Sequence, residues 1–115
     1  MNGEMKLAPA FAAADSIKVA HNAIYDLIVL RRHGFDVAGA LFDTMIAAWL
    51  IDPGSRTLGL KGMAWERLGV EMTPISDLIG AGAKQKSMAD IAIEQVAPYA
   101  AADADMTLRL YALLE

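Results

Sequence analysis

The sequence predicts a mostly helical domain carrying one or two short strands, and three observations lead there. The length, 115 residues, is that of one domain and is enough for a core of its own. Apolar residues recur at helical spacing through most of the chain. One segment, Ser16-Ile17-Lys18-Val19-Ala20, instead alternates in the manner of a strand.

Taken in order, Leu7 to Ala14 places Leu7, Phe11 and Ala14 on one helical face. After the strand, Asn22 is placed to cap a helix in which Ile24, Leu27, Ile28 and Arg31 follow the 3.6 period, ending near Gly34. Phe35 to Leu41 reads as a loop or a short edge strand. Asp43-Thr44 opens a helix through Leu50, with Asp43 as its cap, and Asp52-Pro53-Gly54 closes it. A helix over Thr57 to Leu68 aligns Leu60, Ala64, Trp65 and Leu68 and stops at Gly69. Thr73-Pro74 opens a short helix from Ile75 to Ile79, and Gly80 to Lys86 forms a flexible basic loop. The last helix covers Ile93 to Leu114, with Pro98 predicting a kink or a later start. Trp49, Trp65 and the methionines are expected in the core. Because one strand cannot make a sheet, this strand is expected to pair outside the chain or with a second copy of it.

Composition narrows the function. Hydrophobic residues make up 56% of the chain, yet no apolar run approaches the roughly 20 residues of a membrane-spanning helix. No signal-peptide pattern opens the sequence, so a cytoplasmic protein that does not contact membrane is expected. The absence of cysteine excludes disulfides and thiolate metal sites, and His21 and His33 are too few for a histidine-built zinc centre. A net charge of −4 argues against broad coating of DNA, but leaves room for a nuclease whose metal ions neutralise phosphate locally.

Two constellations could carry chemistry. Asn22 and Asp26 follow the strand, and Tyr99 and Asp103 lie inside the last helix. In each pair the residues stand four apart, one helical turn on one face, among apolar or small neighbours. A carboxylate on such a face wants a cation or donors, since a bare buried charge is expensive. Spacing alone leaves structural readings open: Asn22 as a helix cap, Asp26 favoured by the helix dipole, Tyr99 and Asp103 as an ordinary exposed pair. Asp105 points away from Asp103 and is matched to Arg109 at i+4, and His21 reads as structural.

Taken together the motifs become specific. His21-Asn22-Ala23-Ile24-Tyr25-Asp26-Leu27, then Phe42-Asp43-Thr44-Met45, then Leu58-Gly59-Leu60-Lys61 occur in an order that resembles the 3′–5′ proofreading exonuclease domain of family A (polymerase I-type) DNA polymerases. Tyr99-Ala100-Ala101-Ala102-Asp103-Ala104-Asp105-Met106-Thr107-Leu108 is similar to the third exonuclease motif of that family. Ribonuclease D-type nucleases share the arrangement, but the Phe42 to Met45 and Tyr99 to Asp105 segments resemble the polymerase more closely.

The resemblance implies an α/β, ribonuclease-H-like 3′–5′ exonuclease fold, here truncated to a single partial domain over residues 1–115. It implies two Mg²⁺ or Mn²⁺ ions, with Asp26 and Asp103 as metal ligands and Asp26, Tyr99 and Asp103 as catalytic residues. Asp103 would hold the ion that activates water, Tyr99 would orient that water, and Asn22 would bind substrate near the terminal nucleotide. The implied partners are the 3′ end of single-stranded DNA and a polymerase domain in the parent chain. The family's first motif, D-x-E, supplies two further ligands. No D-x-E precedes Asn22, where Glu4 and Asp15 are the acidic residues. The expectation is therefore a chain inactive by itself, derived from a nuclease. A non-catalytic structural module of a polymerase and an oligomerising domain without a nucleic-acid role are the alternatives, and exposed helix faces predict a homo-oligomer.

Overall fold

A computed structural model describes residues 2–115. The chain runs through α1 (Asn2–Ala12), β1 (Lys18–Ala20), α2 (Ala23–Arg32), β2 (Leu41–Asp43) and α3 (Thr44–Ile51). It continues through α4 (Leu60–Met63), which passes into a π-helical turn (Ala64–Leu68), then α5 (Ser76–Ile79) and α6 (Ile93–Leu114). The fold is a mostly helical α/β domain with a short two-stranded sheet, as the sequence predicts.

The lone-strand expectation is corrected. β1 pairs in parallel with β2, with Lys18 opposite Leu41, Val19 opposite Phe42 and Ala20 opposite Asp43. β1, α2 and β2 form the strand–helix–strand unit that parallel pairing requires. The short edge strand offered for Phe35 to Leu41 forms instead at Leu41–Asp43, where Asp43 is both its last residue and the cap of α3, so the helix signal masks it. Gly39 lets the chain return to this strand. Its φ is +86°, and a Cβ there would stand 2.7 Å from the Ser16 carbonyl.

Asp43 joins the two helix starts. Its Oδ1 accepts from the backbone N–H of Asn22 (3.0 Å), Met45 (2.9 Å) and Ile46 (3.4 Å), and its Oδ2 from that of Ala23 (2.8 Å). The expected Asn22 cap is corrected accordingly. Asn22 stands at the cap position with φ 64° and ψ 62°, and its side chain makes no capping hydrogen bond. The left-handed turn into α2, which asparagine tolerates better than most residues, leaves the capping to Asp43. His21 adds a second tie: Nε2–H donates to the Leu58 carbonyl at 2.7 Å, and Nδ1 meets the Thr44 hydroxyl at 2.8 Å. The ring therefore has the structural role its sequence context indicated.

The core is small. Ala48 of α3, Met63 of α4 and Leu110 of α6 are fully buried, with Leu58, Leu60, Leu68 and Leu114 packed around them. Phe42 meets Tyr111 edge to face at 4.8 Å, pinning β2 to α6. Pro98 does not delay α6, which runs through it from Ile93. The predicted helix over Thr57 to Leu68 begins instead at Leu60, because Gly59 is extended (φ −70°, ψ 150°). Leu58, just before it, gives its carbonyl to His21. Placement of both tryptophans in the core is also corrected: Trp49 is 48% and Trp65 62% exposed.

The molecule is a slab of 43 × 41 × 19 Å with a Cα radius of gyration of 15.5 Å, against about 13 Å for a compact chain of this length. A layer that thin cannot cover both sides of its helices. Ile24 and Ile28 of α2, and Ile46 and Leu50 of α3, stay at least half exposed. Among the described residues no helix is long and apolar enough to cross a membrane.

Truncating the shared cap should therefore cost more than losing an ordinary one. Asp43→Ala is expected to lower unfolding stability by about 2 kcal/mol, the upper end of the cap range, since two helix starts lose their acceptor. Asp43→Asn, which keeps one acceptor oxygen, should lose less. Urea unfolding followed by circular dichroism measures both, and an Asp43→Ala chain as stable as the parent would contradict the shared-cap role.

Candidate active site

β1 delivers the chain directly into α2, so Asn22 and Asp26 stand at the end of the strand. α6 lies against the same strand, and its Met106, Thr107 and Leu110 are buried. Ala100 and Ala104 keep the face of α6 toward the strand shallow. Between these elements opens a cleft of about 740 Å³ lined by Asn22, Asp26, Asp103, His21, Leu60 and Thr107, among others. The structure thus brings Asn22, Asp26 and Asp103, distant in sequence, to one cleft.

Tyr99 is placed differently. With Asp103 it lines an adjoining cleft of about 230 Å³, whose other wall is formed by Met72, Thr73, Asp77 and Leu78. Asp103 borders both spaces, so the Tyr99–Asp103 pair is kept together while Tyr99 lies outside the lining of the Asp26 cleft. Tyr99 accepts a hydrogen bond from Lys61 Nζ at 2.8 Å. Sequence reading missed Lys61, because nothing in the spacing of residues on two separate helices announces their contact. It also missed Asp77, whose place beside Tyr99 follows from how the segment before α5 lies on α6. The paired charges Asp105 and Arg109 meet as expected, at 3.1 Å, on the exposed side of α6.

The electrostatics single out Asp26. Burial, and after it the charge of Asp43, raise its pKa above the ordinary carboxylate range. The helix dipole favours an anion in the first turn, but Asp43 takes the backbone donors there, so the burial cost prevails. Although exposed on its outer side, Asp26 is a carboxylate that gains from a cation or a proton.

The oxygen donors of Asp26 and Asp103 are the type that Mg²⁺ or Mn²⁺ prefers. Two single carboxylates do not make a two-ion centre, and among the described residues no group of three or more acidic, histidine or cysteine side chains gathers around one point. A paired-metal site therefore does not fit the ligands of this chain alone.

Comparison with known proteins agrees with the motifs. The chain matches a family described as 3′–5′ exonuclease over residues 4–115. It is 52% identical over 106 residues to DNA polymerase I of Chloroflexus aurantiacus, covering 90% of the chain and 11% of that protein. Against DNA polymerase I of Pseudomonas aeruginosa it is 37% identical over 110 residues, covering 94% of the chain and 12% of the relative. It is 33% identical over 99 residues to that of Rhizobium leguminosarum, covering 86% and 10%. The chain thus spans about a tenth of the length of the curated relatives it matches.

The strained charge of Asp26 has a consequence for stability. A carboxyl whose pKa is raised in the fold holds its proton more tightly folded than unfolded, so the ionised form destabilises. That penalty is absent below the ordinary value of 3.8 and sets in as pH rises through the raised folded value. Asp26→Asn is therefore expected to melt above the parent chain at pH 7, the difference vanishing below about pH 3.5. Calorimetry across that range checks it, and a variant less stable at pH 7 would refute the strain.

Proposed function

The chain belongs to the 3′–5′ exonuclease family, and from that premise we propose that it is the part of a polymerase I-type proofreading domain that carries Asn22, Asp26, Tyr99 and Asp103. The whole polymerase, a cytoplasmic enzyme in this reading, would remove nucleotides from the 3′ end of single-stranded DNA. The observation that carries the proposal is the convergence of Asp26 and Asp103, from two separate motifs, on one cleft beside β1.

In that enzyme a pair of Mg²⁺ or Mn²⁺ ions would supply hydroxide at neutral pH and neutralise the leaving 3′ oxygen. Asp103 and Asp26 contribute carboxylates, and relief of the Asp26 charge strain favours cation uptake there. Tyr99, one turn from Asp103, would hydrogen-bond the attacking water. Asn22, whose side chain is released from capping, is free to contact the terminal nucleotide. The remaining ligands must come from outside these 115 residues.

A second reading concerns assembly, and the thin slab with its exposed apolar face favours it. In the whole polymerase that face would be covered by other parts of the protein, the polymerase domain among them. In the isolated chain a second copy is the available cover, since exposed isoleucine and leucine on α2 and α3 form a self-complementary apolar surface for a two-fold dimer.

Three outcomes follow. The 115-residue chain is expected to release no nucleotide from 3′-labelled single-stranded DNA with Mg²⁺ or Mn²⁺, because losing the ion pair costs many orders of magnitude in rate. Activity that disappears on Asp103→Ala would overturn this and show ligands assembled across copies. In the whole polymerase the same Asp103→Ala change should abolish 3′ trimming while sparing nucleotide incorporation, and retained trimming would refute the assigned site. Light scattering of the isolated chain at micromolar concentration should report a mass above the monomer, and a clean monomer would remove the dimer reading.

A further inference from the structure

Lys61 is held by a phenol rather than by a carboxylate. Its Nζ donates to Tyr99 Oη at 2.8 Å and stands 5.0 Å from the centroid of the same ring. The ion pair among the described residues is Arg109 with Asp105, so the ammonium charge is not offset by a bonded acid. The side chain is half-buried, and its backbone belongs to α4, whose Leu60 and Met63 lie in and against the core. The cation is thus anchored from the core side, at the edge of the cleft that Tyr99 and Asp103 share.

An ammonium group has donors and no acceptor, so the phenol oxygen must be the acceptor in this bond. With that lone pair engaged, the Tyr99 proton is left for an acceptor on the other side. In the cleft, the acceptors are the carboxylates of Asp103 and Asp77 and, once bound, water or a phosphate oxygen of a 3′ end.

We infer that Lys61 is a positioning residue for Tyr99: it occupies the acceptor side of the phenol and holds the hydroxyl as a hydrogen-bond donor toward the Asp103 cleft. This rests on the reading of Tyr99 and Asp103 as exonuclease residues and deepens it, by giving Tyr99 a donor's role and naming the residue that imposes it. Without Lys61 the hydroxyl can rotate and serve as donor or acceptor. The loss falls on turnover, because substrate contacts elsewhere are untouched.

The test uses the whole polymerase and 3′-labelled single-stranded DNA. Lys61→Met keeps the length of the stem and its packing but removes the donor and the charge. It should lower kcat for 3′ trimming by roughly 10- to 100-fold, the range of one charge-assisted hydrogen bond, with KM little changed. Lys61→Arg, which keeps a charged donor, should restore kcat to within a few-fold. In a Tyr99→Phe background Lys61→Met should cost nothing further, since the two act as one unit. In the 115-residue chain, carbon-13 NMR of the tyrosine rings should show the Tyr99 signal moving with Lys61→Met while Tyr25 and Tyr111 stay in place. An unchanged kcat in Lys61→Met, or a loss that adds in full to that of Tyr99→Phe, overturns the positioning role. Asp103→Ala separates the two levels: if it abolishes trimming while Lys61→Met leaves kcat unchanged, the inference alone fails. If Asp103→Ala is active, the site reading falls and the inference with it.

Discussion

The carboxylate of Asp43 is the constraint on which the rest of this structure depends. Backbone donors at the first turn of a helix need acceptors, and here two helices, α2 and α3, present theirs to one side chain. Sharing the acceptor requires the two N-termini to converge, which holds Ala20 and Asp43 opposite each other in the parallel pair. The same convergence sets the first turn of α2, and with it the positions of Asn22 and Asp26 at the strand end. His21 reinforces the junction from the other side by bonding to Thr44 and to the Leu58 carbonyl.

That arrangement carries a tension into the site. The cap is an acidic side chain, and the charge of Asp43 adds to burial in making the Asp26 carboxylate less comfortable ionised. A purely structural design would place an amide or an alcohol at Asp26. Retaining an acid where the fold disfavours its charge is the pattern of a group whose charge serves a cation or substrate. Asp103 lines the same cleft because α6 packs on α3 through Leu110 and Ala48 and on β2 through the Phe42–Tyr111 contact, and because Ala100 and Ala104 leave room beside it.

The slab shape places the chain in a larger context. Helices that bury one face and leave apolar residues on the other are half of a layered architecture. The match to about a tenth of each polymerase relative accords with a surface that has other parts of a protein to meet.

Much of this was legible in the sequence. The helical majority, the strand at Val19, the Asp43 cap, the Gly69 stop and the Asp105–Arg109 pair each follow from rules acting within a few residues, and local rules are what sequence displays. The four proposed site residues stand out for another reason: their order and spacing resemble a family pattern. Four things were decided only by the tertiary structure. β2 exists because β1 is there to pair with it, though its three residues carry no strand signal of their own. The start of α2 is capped from another element, so Asn22 turns left-handed instead. Trp49 and Trp65 stay exposed because a layer 19 Å thick has no second side to receive them. Lys61 meets Tyr99 because α4 and α6 share a core, a contact between residues far apart in the chain that no local period can encode.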